Sequence, residues 1–266
     1  MVSKKLLAFC LLVFAMINSC RDKDESTVAK SSVTTEKSLS DAVSRYPDSL
    51  PLRVKLIQLY SDSNNYKMAI KITDDGIARD TANPELWDIR ASVLYQNEDT
   101  LGAIKAFEKA ISIIPLPDYL ISLGSLYAQT KNDKALLVAD ELFADRNAKA
   151  QKEALFIKGL YYSYLGSKQQ SIGYFDKCIN MDYTYMFAYR EKAICLYDLG
   201  KYNDAIMVLN KAVTIQNSFD EGYYWLGKCY EKLNRPNDAI DNYKMALLYD
   251  KDFIEARDAL NHLQPK

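Results

Sequence analysis

From about residue 50 onward, small residues return along the chain in two interleaved series with a period near 34. The first series is Ala91, Gly124, Gly159, Ala193 and Gly227, spaced 33, 35, 34 and 34 residues apart. The second is Ala69, Ala103, Ser171, Ala205 and Ala239, spaced 34, 68, 34 and 34, so one period is skipped, with Leu136 where the small residue is due. Apolar residues fall three and four apart around each small one, which is the spacing of a helix face. Two such faces per period predict a helix-turn-helix unit. Alanine or glycine is needed where two helix backbones approach closely, because side chains in a packed interior leave no spare volume. The spacing divides the chain into six units near residues 50–83, 84–116, 117–151, 152–185, 186–219 and 220–253. Gly166 and Gly200 fall at turns inside a unit, where a left-handed residue is wanted. Asn203-Asp204 and Pro236-Asn237-Asp238 mark helix starts, with acid at the positive end of the helix dipole. The third unit is degenerate, its second helix drifting through Ala139, Leu142 and Phe143. Repeats of this kind bury their apolar faces only against neighbours, so the ends need covers. Residues 254–264 read as a C-terminal capping helix, and about 36–46 as a half-unit at the N-terminal end.

A period of 34 is that of the tetratricopeptide class. Trp87, Ala91, Leu94, Ala103, Phe107, Ala110 and Pro115 resemble the signature W-x2-L-G-x2-Y-x8-A-x3-F-x2-A-x4-P of that family, with Arg90, Ala91 and Leu94 departing from it. Leu226, Gly227, Tyr230, Ala239, Tyr243 and Ala246 match it again. The resemblance covers residues 50–253. It implies an all-α fold, a right-handed α-solenoid of about six helix-turn-helix units with a capping helix, and a bacterial tetratricopeptide lipoprotein once the N-terminal segment is considered.

That segment has its own pattern. Lys4-Lys5 precede an apolar run from Leu6 to Ile17, too short to cross a bilayer and suited to a signal peptide. Ile17-Asn18-Ser19-Cys20 resembles a bacterial lipobox, which makes residues 1–19 a signal peptide and Cys20 the lipidated first mature residue; ordinary cleavage nearby is the alternative. Several acyl chains on Cys20 hold a protein to a membrane well, at roughly 0.8 kcal/mol per buried methylene. Residues 20–37, polar and rich in Ser and Thr, read as a flexible tether. By resemblance to lipoprotein sorting signals, Arg21 and Lys23-Asp24-Glu25 place the protein in the cell envelope, on the outer membrane of a gram-negative bacterium, facing either the periplasm or the exterior.

Composition narrows the functions open to the chain. Lys and Arg number 34 against 35 Asp and Glu, so no field draws nucleic acid. The one histidine, His262, sits in the capping helix, and neither a C-x2-C nor a phosphate-binding glycine motif occurs. The sequence gives no sign of catalysis, a metal site or a cofactor, so the chain is read as a non-enzyme. Cys178 and Cys195 lie within bridging reach if the two helices bring them together, whereas Cys195 and Cys229 read as inert buried thiols.

In the tetratricopeptide family the first helix of each repeat lines a concave groove, and peptides contact its second, fifth, ninth and twelfth positions. Carried onto this chain, those positions include Asp88, Ser92, Tyr95, Phe156, Phe187, Arg190, Tyr197, Tyr224 and Lys228. Arg190, Tyr197, Tyr224 and Lys228 are the leading set, expected to be exposed, so that changing Arg190 and Lys228 to glutamate would spare stability; the tyrosines read equally as packing residues. The lysine and asparagine clamp that takes acidic C-terminal tails is missing, with Val54, Gln58, Asp88 and Ser92 in its places. The implied function is a membrane-anchored scaffold or adaptor that binds a polypeptide in envelope complex assembly. Alternatives are a regulatory subunit of an envelope enzyme, and a lipoprotein that binds peptide or glycan.

Overall fold

The computed structural model describes residues 25–145 and 147–264. Cys10, Cys20 and the whole expected signal peptide lie outside them. The described residues are all-α. Fourteen helices follow one another: α1 (Glu25–Arg45), α2 (Leu50–Asp62), α3 (Tyr66–Arg79), α4 (Pro84–Gln96), α5 (Thr100–Ile113), α6 (Pro117–Gln129), α7 (Lys134–Ala144), α8 (Ala148–Tyr164), α9 (Lys168–Met181), α10 (Met186–Asp198), α11 (Tyr202–Ile215), α12 (Asp220–Lys232), α13 (Pro236–Tyr249) and α14 (Ile254–Leu263). They form two compact units that divide between Leu126 and Tyr127, inside α6.

The same turn joins the two helices of every repeat. Residues Asn64, Glu98, Lys131, Gly166, Gly200 and Asn234 all have positive φ, between 56° and 87°. Each donates its N–H to the carbonyl three residues back, as Asn234 does to Glu231 and Gly200 to Tyr197. In five of the six turns the next N–H reaches back five residues: Asn65 to Tyr60, Asp99 to Leu94, Asn132 to Tyr127, Lys201 to Leu196 and Arg235 to Tyr230. These paired bonds satisfy carbonyls that the helix end leaves open. Glycine adopts this conformation without strain, and asparagine tolerates it better than glutamate or lysine does. Between repeats, the Asp80, Asp182 and Asp250 carboxylates accept the N–H two residues on, from Ala82, Thr184 and Asp252, and so turn the chain into the next unit.

In the N-terminal unit Val43, Leu56, Ile57, Tyr60, Ala69 and Val93 form a buried cluster that joins α1 to α4. In the C-terminal unit, a β-carbon on Gly159 would come within 2.5 Å of the Phe175 ring, and one on Gly227 within 2.5 Å of the Tyr243 ring. A methyl group there would force rings or backbones apart, at a cost of about 1–3 kcal/mol. Ala69, Ala103, Ser171, Ala205 and Ala239 are all fully buried.

The third repeat keeps its small residue but moves it. Ala135 is fully buried where Leu136 was due, and Leu136 is only half-buried. Elsewhere the second helix opens with bonds to the residue four back, as Ala103 to Asp99 and Ala205 to Lys201. At α7 the bonds run three back, Ala135 to Asn132 and Leu136 to Asp133. A three-residue turn is tighter than an α-turn and brings the preceding residue round to the contact. After α7 the chain enters α8 at Ala148, not near Lys152, with the Asn147 side chain accepting the Lys149 N–H.

One further expectation is corrected. Residues 25–37 are helix and not tether, since α1 begins at Glu25. Leu39 and Val43, four apart, pack on α2, and the Tyr60 hydroxyl donates to Glu36 at 2.9 Å, so the helix grows outward from a pinned turn. Asn203-Asp204 and Pro236-Asn237-Asp238 do fall at the starts of α11 and α13, where Lys201 and Arg235 occupy the capping position without a side-chain cap. Asp204 and Asp238 lie instead in the first turn, within reach of the helix dipole.

Candidate functional site

The predicted partner-binding residues divide into two kinds once placed. Phe156, on α8, is buried at 8% exposure against Phe175 and Tyr185, with ring centroids 5.6 and 5.3 Å away. It is a packing residue. Tyr185 donates its hydroxyl to Glu153 at 2.7 Å and carries the Lys152 ammonium 4.2 Å above its ring. Phe187, half-buried on α10, meets the edge of Tyr185 at 5.7 Å and lies beneath the Arg190 guanidinium.

Arg190 is not on the surface. Its side chain is 3% exposed, its Nε donates to Glu191 at 2.9 Å, and its Nη1 donates to Glu221 of α12. Burial by itself would lower its pKa; the two carboxylates overcome that and raise it. Glu191 moves the other way from an ordinary carboxyl because its own burial outweighs Arg190 and pushes its pKa up. The expectation that Arg190 is a free recognition side chain therefore fails. Its hydrogen bonds span α10 and α12, and only Nη2 is buried without an acceptor.

Tyr197, Tyr224 and Lys228 keep partly open surfaces. Tyr197 meets Tyr202 and Trp225 edge-on at 5.3 and 5.5 Å. Tyr224 meets Trp225 at 5.7 Å, Tyr243 at 5.9 Å and Phe253 at 5.0 Å. The fully buried Tyr243 donates its hydroxyl to Glu231, and the Lys228 ammonium is 3.9 Å from the same carboxylate. Burial and then neighbouring Tyr202, Cys229 and Glu231 push the Tyr197 hydroxyl up to about 12. These rings thus stay neutral donors across the physiological range. Trp225, Glu231 and Glu221 join the site although sequence did not single them out. All three stand one residue or one turn from predicted positions, a signal that single-residue register hides.

The N-terminal unit presents a different face. Tyr95 and Asp88 are half-buried on α4. Burial first, then Glu85 and Asp118, raise the Asp88 carboxyl to about 6. Ser92 donates its hydroxyl to the Asp88 carbonyl at 3.0 Å.

Cys178, Cys195 and Cys229 are free and buried, so the contemplated bridge between Cys178 and Cys195 is not formed. Cys178 lies 3.6 Å from the Lys152 carbonyl, and Cys195 lies 3.4 Å from both Ser163 and Ser171 hydroxyls. Burial pushes the Cys229 thiol up to about 12, which keeps it protonated and unreactive. His262 is exposed. Among the described residues no cluster of histidine, cysteine and carboxylate has the makings of a metal site, and no helix is long and apolar enough to cross a membrane.

Comparison with known proteins bears on the repeats directly. The tetratricopeptide repeat profile matches residues 84–115, 152–185 and 220–253, and a second profile described as TPR repeat matches 195–234. The first and third units, residues 50–83 and 117–151, lie outside these matches. The mouse DnaJ homolog subfamily C member 7 is 26% identical over 117 residues, 44% of this chain and 24% of that one. The chain therefore spans about a quarter of that relative's length. A tetratricopeptide repeat protein from Parabacteroides merdae aligns over 98% of both chains with a TM-score of 0.71 at 17% identity. PilW, described as a widely conserved type IV pilus biogenesis factor, aligns over 79% of this chain and 97% of its own with a TM-score of 0.59 at 18% identity. Such likenesses establish the fold, a repeat solenoid whose scaffold is typically non-catalytic. The repeated left-handed turns, the buried small residues one period apart and the matching profiles agree, and the chain belongs to the tetratricopeptide repeat family.

Proposed function

We propose that this protein is an adaptor that holds a polypeptide partner on the first-helix face of its C-terminal unit, tethered to a membrane of the cell envelope by a lipid on Cys20 and serving complex assembly there. Tetratricopeptide proteins generally mediate protein–protein interaction, which supports the class of partner. The observation that carries the reading is the ring cluster of Tyr197, Tyr224 and Trp225, left half-open on α10 and α12 after Arg190 and Phe156 have been absorbed into packing. Tyrosine and tryptophan offer large rigid contact area with polar edges, at little entropic cost on binding. The lipobox-like Ile17-Asn18-Ser19-Cys20 supports the anchor.

A photo-crosslinking amino acid in place of Tyr224, tested in living cells against the same group in place of Met207, which is 65% exposed on α11, measures the first claim. A discrete protein adduct at Tyr224 and none at Met207 is expected, and equal labelling at both sites contradicts the proposal. For the anchor, Cys20→Ser should move the protein from the membrane fraction to the soluble one; unchanged fractionation removes the lipid from the account.

A further inference from the structure

The charges around the ring cluster select among polypeptides. Glu231 accepts the hydroxyl of Tyr243, whose ring lies 5.9 Å from that of Tyr224, so a carboxylate borders the ring cluster, and Glu231 and Glu255 both raise the pKa of the Tyr224 hydroxyl after its burial does. The ammonium of Lys228 answers Glu231 at 3.9 Å, longer than a direct hydrogen bond. Further up the same face Arg190 is enclosed by Glu191 and Glu221, two acids to one base. An acidic ligand would add a further carboxylate to a face where Glu191, Glu221 and Glu231 already outnumber Arg190 and Lys228. A cation meets ring faces and edges bounded by carboxylate, the arrangement in which aromatic side chains hold ammonium and guanidinium groups. The same unit already uses such contacts internally, with Lys152 over Tyr185 and Arg235 over Tyr230 at 4.2 and 4.6 Å.

Arg190 contributes a second, independent feature. Its Nη2 is buried and unpartnered in a side chain that is 3% exposed. A buried donor without an acceptor is costly. A carbonyl oxygen of a bound chain would satisfy it without bringing a third carboxylate to Glu191 and Glu221. Arg190 and Tyr197 are seven residues apart on one helix, which at 1.5 Å per residue sets them roughly 10 Å apart along its axis. An extended chain covers that length in about three residues.

We propose, building on the adaptor reading, that the face of α10 and α12 takes an extended segment bearing a lysine or arginine, the cation lodged among Tyr197, Tyr224 and Trp225 beside Glu231, and a main-chain carbonyl about three residues away on Arg190 Nη2. The partner is thus a basic polypeptide segment and not an acidic tail.

Three fluorescein-labelled peptides test this against the full chain by anisotropy. They share one frame of alanine, serine and leucine and carry lysine, glutamine or glutamate at every third position. The lysine peptide should bind about tenfold more tightly than the glutamine peptide, and the advantage should fade as salt rises. Glu231→Gln should erase that advantage, whereas Lys228→Gln, which removes the competing ammonium, should enlarge it; thermal melts of both variants report that the fold is kept. Tighter binding of the glutamate or glutamine peptide, or a lysine advantage untouched by Glu231→Gln, overturns the cation preference. Failure of all three peptides also overturns it, and the Tyr224 crosslink then shows separately whether this face binds protein at all.

Discussion

Each unit of the molecule buries an arginine almost completely, and the two are held in opposite ways. Arg53 on α2 is 4% exposed and donates to carbonyl oxygens, Ile72 at 2.7 Å and Pro47 at 2.8 Å. Burial, followed by repulsion from Arg79, lowers its pKa. Arg190 on α10 is buried to the same degree but donates to Glu191 and Glu221, and its pKa rises. Neutral dipoles stitch a helix end in the first case; in the second, an ion triad joins two repeats. The lesson is that depth alone does not set the cost of a buried charge, since partners decide whether removing it exposes a void, a lone carbonyl or uncompensated charge.

The sharpest way to break that comparison is Arg190→Ala. It leaves Glu191 and Glu221 close together and buried, and urea unfolding should show a loss of about 3–5 kcal/mol. Replacing all three side chains by Met and Leu should recover most of it, because apolar residues of similar volume carry no desolvation penalty. Arg53→Met should cost less, about 1–3 kcal/mol, since it strands two carbonyls and no charge. If the two arginine variants lose equal stability, the distinction between them is wrong.

Asp88 extends the test to an acid at the repeat position that Arg190 occupies in the fifth repeat. Its carboxyl stands at about 6 in the folded chain against an ordinary 3.8, so the folded state takes up the proton first as pH falls. The burden is present in full above about pH 6 and is relieved on the way down toward 4. Asp88→Asn should raise stability at neutral pH by on the order of 1 kcal/mol and flatten the melting profile between those pH values. A profile unchanged by the substitution would mean that Asp88 is well solvated. Smallest is Glu98→Gly, at the left-handed turn position that Gly166 and Gly200 fill in the other unit; relief of strain should stabilise by a few tenths to about 1 kcal/mol in a melt.

Which parts of this were legible in the sequence follows from what each residue answers to. Small residues at close approaches are dictated by backbone geometry, so Gly159 and Gly227 announce their helix pairs with no knowledge of the rest. The glycines of the left-handed turns speak as plainly, while Glu98 and Lys131 in the same conformation do not, because their chemistry gives no hint of it. The shift from Leu136 to Ala135 escapes a fixed period, since it arises from one tightened turn of backbone. Arg190 was misplaced for a similar reason. Its position points toward the inner face, but Glu221, its partner, lies 31 residues away and draws it inward. Residue type and register name the candidates for a binding face; cross-repeat pairing decides which remain available.

The six left-handed turns carry a consequence for how the chain acquires this structure. Each closes within a handful of residues, and the helices it joins are neighbours in sequence, so the contacts that define a repeat need no distant strand or loop to arrive first. Chains with such local topology fold fast, in microseconds to milliseconds for helical domains. A chain that emerges residue by residue can therefore complete one hairpin before the next appears, with Tyr60, Leu94, Tyr127, Leu196 and Tyr230 each receiving the bond that locks its own turn.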